Sequence, residues 1–333
     1  MNEHRWGILL IVLAATFWSF SGIGIKSLPE ISPMVITGFR SMFAMPILAL
    51  FFYRRSGRNA GVKAALGNAV AHREIWFVAV SYALMLIFFV SATRLTTAAN
   101  AILLQYTAPI FVALFSWPIL GEPVRGREWA AIVGCFMGVA FFFGEKVSLS
   151  GWWGNGIAIF SGVACAFDMI FLRMLARVDS MTNDGIPHMT APNVSPAADD
   201  LRGKMRAGGH TFLAVLFGNA LTVLLCLPWM ATSFPNDGFS WLIIGLLGVF
   251  QLGLSFIFFN IGIQWVTAIE GVLLATLEAV LNPLWTALGA GERPSVAALL
   301  GGTLLLASVV FYGGLKSSPD FFQREGREKP CGN

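Results

Sequence analysis

Ten apolar stretches, most of them about the length a helix needs to cross a bilayer, fill most of this 333-residue chain. A hydrocarbon core about 30 Å thick takes about 20 apolar residues of helix. The stretches fall at about 7–25, 34–53, 75–93, 98–120, 128–144, 154–173, 211–230, 240–262, 268–289 and 295–315. They are continuous, without the alternation of a membrane barrel, and backbone left unpaired in lipid costs several kcal/mol per group, so each is predicted to be a helix. Charge is correspondingly scarce. Hydrophobic residues make up 56% of the chain and charged ones 12%, with a mean hydropathy of +0.71. That is too little charge to cover a water-facing surface of this size. The predicted class is an all-α integral membrane protein with ten transmembrane helices. The first stretch follows Arg5 but is long enough to span and precedes nine others, so it is expected to stay as a membrane helix and not to act as a cleaved signal.

The net charge of +4 would suit nucleic acid if the basic residues were clustered. Instead they sit between alternate stretches. Counted from an inside amino terminus, the inner connections hold Arg54, Arg55, Arg58, Lys63, Arg73, Arg125, Arg127, Arg173, Arg177, Arg202, Lys204 and Arg206, while the outer ones hold Lys26, Arg94, Lys146 and Arg293. This bias predicts both termini in the cytoplasm. The longest connection, residues 177–209, is rich in Pro, Asn, Asp and Gly and is expected to be a mobile cytoplasmic loop.

Sliding the chain on itself by 170 residues aligns Thr97–Glu122 with Thr267–Glu292, matching Thr97 with Thr267, Leu104 with Leu274, Gly121 with Gly291 and Glu122 with Glu292. A shift of 147 puts Trp6 and Gly7 on Trp153 and Gly154, and Lys26 on Arg173. The expected division is one five-helix repeat over residues 1–150, a second over 151–316 containing the 177–209 loop, and a cytoplasmic tail over 317–333. Five crossings is an odd number, so the second copy must enter the membrane in the opposite sense. Two inverted five-helix repeats can expose a shared midplane site to one side and then the other.

The stretch TAANAILLQYTAPIFVALFSWPILGEP at 97–123 resembles the small-residue start, mid-helix proline and terminal Gly-Glu of the EamA-type members of the drug/metabolite transporter superfamily. Its second copy, TAIEGVLLATLEAVLNPLWTALGAGERP, repeats the pattern with Pro283 displaced four residues from the place equivalent to Pro109. FWSFSGIGIK at 17–26 and GFRSMFA at 38–44 support the likeness, which covers nearly the whole chain outside the 177–209 loop and the tail. The resemblance implies a secondary carrier with a central cavity lined mainly by segments 1, 3, 4, 6, 8 and 9. Members of that family move amino acids, other metabolites, nucleotide sugars or cationic drugs, often outward.

Charged and polar side chains inside the stretches mark the candidate site. Glu278 lies ten residues into its segment, about 15 Å deep. A mid-membrane acid usually faces a cavity or a partner, so Glu278 is expected to bind a cationic group or a coupling proton. Asn282 and Trp285 extend a polar and aromatic stripe from it. Asp168 sits near the inner end of segment 6, and Arg40 lies about 9 Å into segment 2. These two are candidates for coupling or gating, as are Glu122 and Glu292, which end equivalent helices on opposite sides. Pro109 should kink segment 4 and turn Gln105 and Tyr106 toward substrate. Trp18, Tyr82 and Gln251 complete the expected cavity wall. Glu270 fits a different role, because Thr267-x-x-Glu270 has the spacing of a capping box.

No phosphate-binding GxxxxGK[ST] loop occurs, which argues against ATP as the driving force. The four cysteines and four histidines have no metal-ligand spacing. The expected activity is secondary transport of a small metabolite or amino acid, as an inner-membrane exporter. The expected partners are a small-molecule substrate, the lipid bilayer and a coupling proton, with a homodimer left open and no nucleic acid, cofactor or metal. The rival classes are an intramembrane enzyme acting on lipid head groups and a non-transporting membrane scaffold. Such an enzyme would need clustered acids or histidines at one interface, whereas all four histidines lie in tails or loops.

Overall fold

The computed structural model describes residues 3–28, 30–56, 73–95, 104–122, 152–183 and 209–279, with scattered positions among 126–137 and 281–307. Most of the fifth and tenth expected segments, the connection over 184–208, the tail, Asn282 and Glu292 lie outside the described residues.

Every regular element among the described residues is helical, the only way these apolar runs can pair their own backbone in lipid. We label them α1 (Glu3–Ser19), α2 (Ser21–Lys26), α3 (Pro33–Ser56), α4 (Arg73–Leu95), α5 (Ala108–Leu120), α6 (Trp152–Asn183), α7 (Gly209–Thr232), α8 (Gly238–Leu246), α9 (Ser255–Gly262) and α10 (Ala268–Ala275). A wide π-helical turn, Leu247–Leu254, joins α8 to α9 into one crossing. Six stretches are long and apolar enough to span a membrane: Glu3–Ile25, Pro33–Arg54, Arg73–Ala92, Trp152–Arg177, His210–Thr232 and Gly238–Gly262. They correspond to expected segments 1, 2, 3, 6, 7 and 8. Ala108–Leu120 is shorter. The α6 helix departs from its expected bounds, running past Arg177 to Asn183, with Asp168 about two thirds of the way along the Trp152–Arg177 span.

Caps fix several of these ends. Asp237 accepts from the Ser240 backbone N–H at 2.7 Å and from the Ser240 hydroxyl at 2.7 Å, which starts α8. These bonds, the side-chain one foremost, hold its exposed carboxyl below the usual carboxylate range. The capping box predicted at Thr267 and Glu270 is formed, with the Glu270 N–H on Thr267 Oγ1 at 3.2 Å and the Thr267 N–H on Glu270 Oε2 at 3.4 Å. Gly121, with φ of 65°, ends α5 and presents Glu122 just beyond it.

The described helices pack in antiparallel and parallel pairs. The α1 helix is antiparallel to the α8–α9 crossing, with Gly7 against Gly262 and Phe17 stacked on Phe250. In the same way α4 is antiparallel to α6, with Phe77 on Phe171 and Phe88 near Phe160. The α1 helix runs parallel to the chain from α10, since His4 meets Glu270 and Ser19 meets Trp285. The α5 helix runs parallel to α6, since Thr107 meets Gly162 and Glu122 meets Arg177. The α3 and α7 helices lie antiparallel, with Phe51 on Phe212. One buried core runs through α1, α3 to α7, α9 and α10, including Ile11, Leu48, Tyr82, Val112, Ile170 and Phe259, and a second, with Val35, Cys226 and Ile244, packs α3, α7 and α8 together.

Candidate functional site

Two interrupted helices bring the polar groups together. The chain is helical at Leu104 and Gln105, turns at Tyr106 and Thr107, and becomes helical again at Ala108. Pro109 has no N–H to donate backward, so the regular bonding pattern cannot run through this point. A tighter one replaces it: the Thr107 N–H reaches Leu104 O at 3.2 Å, its hydroxyl donates to the same carbonyl at 2.6 Å, and Ile110 N–H reaches Thr107 O at 3.0 Å. The second half contains the same arrangement. Thr276 N–H reaches Leu273 O at 3.3 Å, its hydroxyl donates to that carbonyl at 2.6 Å, and Ala279 N–H reaches Thr276 O at 3.0 Å. Thr107 therefore corresponds to Thr276, one residue off the register in which the sequences align. Gly162 of α6 makes room for the first break, because a Cβ there would stand 2.9 Å from Thr107 Oγ1 and 3.1 Å from the carbonyls of Leu104 and Gln105.

The breaks bring Tyr106 and Glu278 to one another, the tyrosine hydroxyl facing the carboxyl. Arg40 faces the same carboxylate from α3 and lies near Tyr82. Its Nη1 donates to Gln251 Oε1 at 3.1 Å, and its buried Nε–H has no partner among the described residues. The wide turn carrying Gln251 approaches so closely because position 248 is glycine: a Cβ there would stand 2.6 Å from the carbonyl oxygen of Arg40. Tyr82 is fully buried, 3.5 Å from Asn219 Oδ1, with its ring edge-on to Phe256 at 4.8 Å. Phe256 in turn meets Trp18 at 5.1 Å.

The structure thus gathers Arg40, Tyr82, Tyr106, Gln251 and Glu278, with Trp18 behind an aromatic layer. It turns other candidates elsewhere. Gln105 donates to Ser161 Oγ at 3.0 Å, and Ser161 donates to Met85 O at 3.1 Å, so Gln105 ties the break to α6 and α4. Trp285 donates to Ser19 Oγ at 2.7 Å and stacks on Phe20. Asp168 is fully buried, and neither carboxylate oxygen has a hydrogen-bond partner among the described residues.

At the end of the bundle that holds His4, Glu122 receives two arginines of α6. Arg173 Nε lies 3.3 Å from Glu122 Oε1, and Arg177 Nη2 meets the same oxygen. Arg173 Nη1 also donates to the carbonyls of Ile263 at 2.9 Å and Gln264 at 3.1 Å, and Arg177 Nη1 to Leu120 O at 2.7 Å. Two side chains thereby fasten the ends of α5 and α9 to α6. His4 Nε2 stands 2.7 Å from Glu270 Oε1 at the same end. Asn219 and Ser161 were not singled out by the sequence. The only signal they gave was a polar residue inside an apolar run.

Among the described residues no three His, Cys, Asp or Glu side chains converge. The charged core is instead one guanidinium between a carboxylate, an amide and a phenol, an arrangement able to hold a small polar molecule by complementary charge.

Comparison with known proteins adds three findings. The family model described as EamA-like transporter family matches residues 5–144 and 203–314. An uncharacterized inner membrane transporter of Salmonella typhimurium, YicL, is 25% identical over 320 residues, covering 93% of this chain and 96% of that one. An uncharacterized transporter of Archaeoglobus fulgidus is 28% identical over 185 residues, or 52% of this chain and 60% of that one. One of Vibrio cholerae is 26% identical over 141 residues, covering 41% and 45%. The chain spans about half the length of these last two relatives. A protein of known crystal structure, 19% identical, has the same fold, with a TM-score of 0.70 over 93% of this chain and 96% of that one.

Proposed function

The chain belongs to the EamA-like transporter family, and on that premise we propose that it is a secondary transporter of a small metabolite or amino acid, working outward across the inner membrane. The observation that carries this reading is the approach of buried Arg40, on α3, to Glu278, which follows the second of two similar helix breaks. Buried charges in a membrane span are costly, and they persist where a pathway uses them. Arg40, with an unpaired N–H, takes the anionic part of the substrate. Glu278, beside Tyr106, takes the cationic part, and Tyr82, Gln251 and Trp18 shape the wall. Asn282, four residues beyond Glu278 in the sequence, is a further candidate for substrate contact.

The two halves are inverted copies, and the ten-helix plan follows from this. Support comes from the two separate stretches matched by one family model and from the packing, in which segments 1 and 6, 2 and 7, 3 and 8, and 4 and 9 run in opposite senses. Alternating access then has a natural gate. Glu122 with Arg173 and Arg177 closes the cytoplasmic end, and Glu292, its sequence counterpart, serves the opposite end. Both termini lie in the cytoplasm, which fits the bias of Lys and Arg and the position of His4 at the Glu122 end.

The test is uptake of radiolabelled amino acids into everted membrane vesicles with and without the protein. Accumulation that depends on the protein and is lost in Arg40→Gln and Glu278→Gln supports the reading. Equal uptake by both vesicle types, across the amino acids and a panel of small organic acids and amines, rejects it.

A further inference from the structure

Within the bundle lie one arginine and one carboxyl on described spans, Arg40 and Asp168, and a second carboxyl, Glu278, beyond α10. Arg40 faces Glu278. Among the described residues Asp168 has no counter-charge, and no ion pair or hydrogen bond to it exists.

The groups around it confirm its isolation. From α4 the ionisable side chain within electrostatic reach is Tyr82, and from α6 itself it is Cys165, which Glu278 also faces. The α5 helix carries no ionisable side chain, while α7 carries His210 at its start and Cys226. The α10 helix carries Glu270, which is engaged with His4 and the Thr267 N–H. None of these is a cation beside Asp168. A bare carboxylate in such a place, with neither oxygen hydrogen-bonded, is strongly disfavoured. An alkali ion would neutralise it only with a shell of further oxygens, and no other carboxylate joins Asp168 in a cluster among the described residues. A proton needs no shell.

Resting on the transporter reading above, we propose that Asp168 is the proton-carrying residue of the transport cycle, distinct from the Arg40–Glu278 pair that holds the substrate. Its place on α6 says how loading is timed. Arg173 and Arg177, which fasten Glu122, lie on the same helix, and five residues separate Asp168 from Arg173, about 7.5 Å along the axis. With the clasp closed, Asp168 is sealed and holds its proton. Release of Glu122 admits water from the cytoplasm along α6, and the proton leaves to that side. The substrate loads from the cytoplasm in the same open state, so the proton entering from outside is exchanged for the substrate going out.

Two measurements test this, one of them independent of substrate. In the purified Glu278→Gln protein, infrared spectroscopy at neutral pH should show the C=O stretch of an un-ionised carboxyl free of hydrogen bonds, and the band should vanish when Asp168→Asn is added. In proteoliposomes with an equimolar mixture of radiolabelled amino acids, Asp168→Asn should retain downhill exchange while losing most accumulation driven by a pH gradient. The proposal is overturned if the band is missing before Asp168 is replaced, if it survives the replacement, or if Asp168→Asn still concentrates label as wild type does. Should wild type move no amino acid at all, the transport reading fails by itself, and the infrared result still decides whether Asp168 holds a proton. Sodium added at constant pH should leave the band in place, and its loss to sodium overturns the choice of proton.

Discussion

The Tyr106 hydroxyl faces the Glu278 carboxyl, bringing the broken helix of the first half against that of the second. Tyr106 immediately precedes Thr107 and Glu278 follows Thr276 by two residues, each threonine bonding back to the carbonyl three residues earlier, so the approach spans the two helix breaks.

Removing that hydroxyl should affect binding more than folding. Tyr106→Phe is expected to lose about 1 kcal/mol of substrate affinity, roughly fivefold. Its Tm should remain within a few degrees of wild type, because the ring and its packing persist. Concentration-dependent uptake, set beside a thermal melt, checks both halves of this expectation.

The Glu122 clasp can be opened by one substitution. Glu122→Ala leaves two guanidinium groups of α6 without their carboxylate, at a cost of roughly 1–2 kcal/mol. The bundle should then spend more time open at the His4 end, and Cys165, half-buried on the same helix, should react several-fold faster with a maleimide. Labelling followed by peptide mapping reads this out. An unchanged rate at Cys165 would show that the clasp does not control access.

Gly162 packs against the first break, and alanine there should be felt. Its Cβ would fall 2.9 Å from Thr107 Oγ1 and 3.1 Å from two carbonyls, forcing α6 and the break apart. Overpacking of this kind costs about 1–3 kcal/mol. Gly156, on the same helix with nothing within 4 Å of its would-be Cβ, is the control and should tolerate alanine. Comparing the two melting temperatures separates crowding from any general effect of alanine on the helix.

Asp237 gives an expected pH dependence outside the membrane. Its carboxyl is held below the usual range in the folded state, so the cap contributes fully above the ordinary carboxylate pKa and is lost as pH falls through the lowered one. Asp237→Asn should flatten the acid side of the Tm-against-pH curve. A parallel curve for the variant would remove the cap from the account.

Much of this architecture is legible from hydropathy, because lipid imposes length and apolarity together. Segments 1, 2, 3, 6, 7 and 8 emerge as spans close to where the apolar runs place them. Hydropathy ends a segment where charge begins, whereas a helix ends where its backbone bonding fails. That difference hid the continuation of α6, whose RMLARVDSM sequence stays helical beyond the apolar run. It also assigned Arg177 to a loop when its side chain holds Glu122 and Leu120. The first break was signalled by Pro109, but the second was silent: no proline lies near Thr276, and only the threonine repeats the bonding. Asp168 was visible as an acid in an apolar run. Its isolation was not, since the lack of a partner depends on every helix around it.

The wide turn at Leu247–Leu254 amounts to one residue more than a regular helix would need over the same rise. Deleting a single position within it would restore ordinary winding and rotate the rest of the crossing by about 100°. Phe256 and Phe259 would then swing away from Trp18, and a different set of side chains would face the midplane. An architecture built this way can exchange the lining of its pathway through the length of one turn.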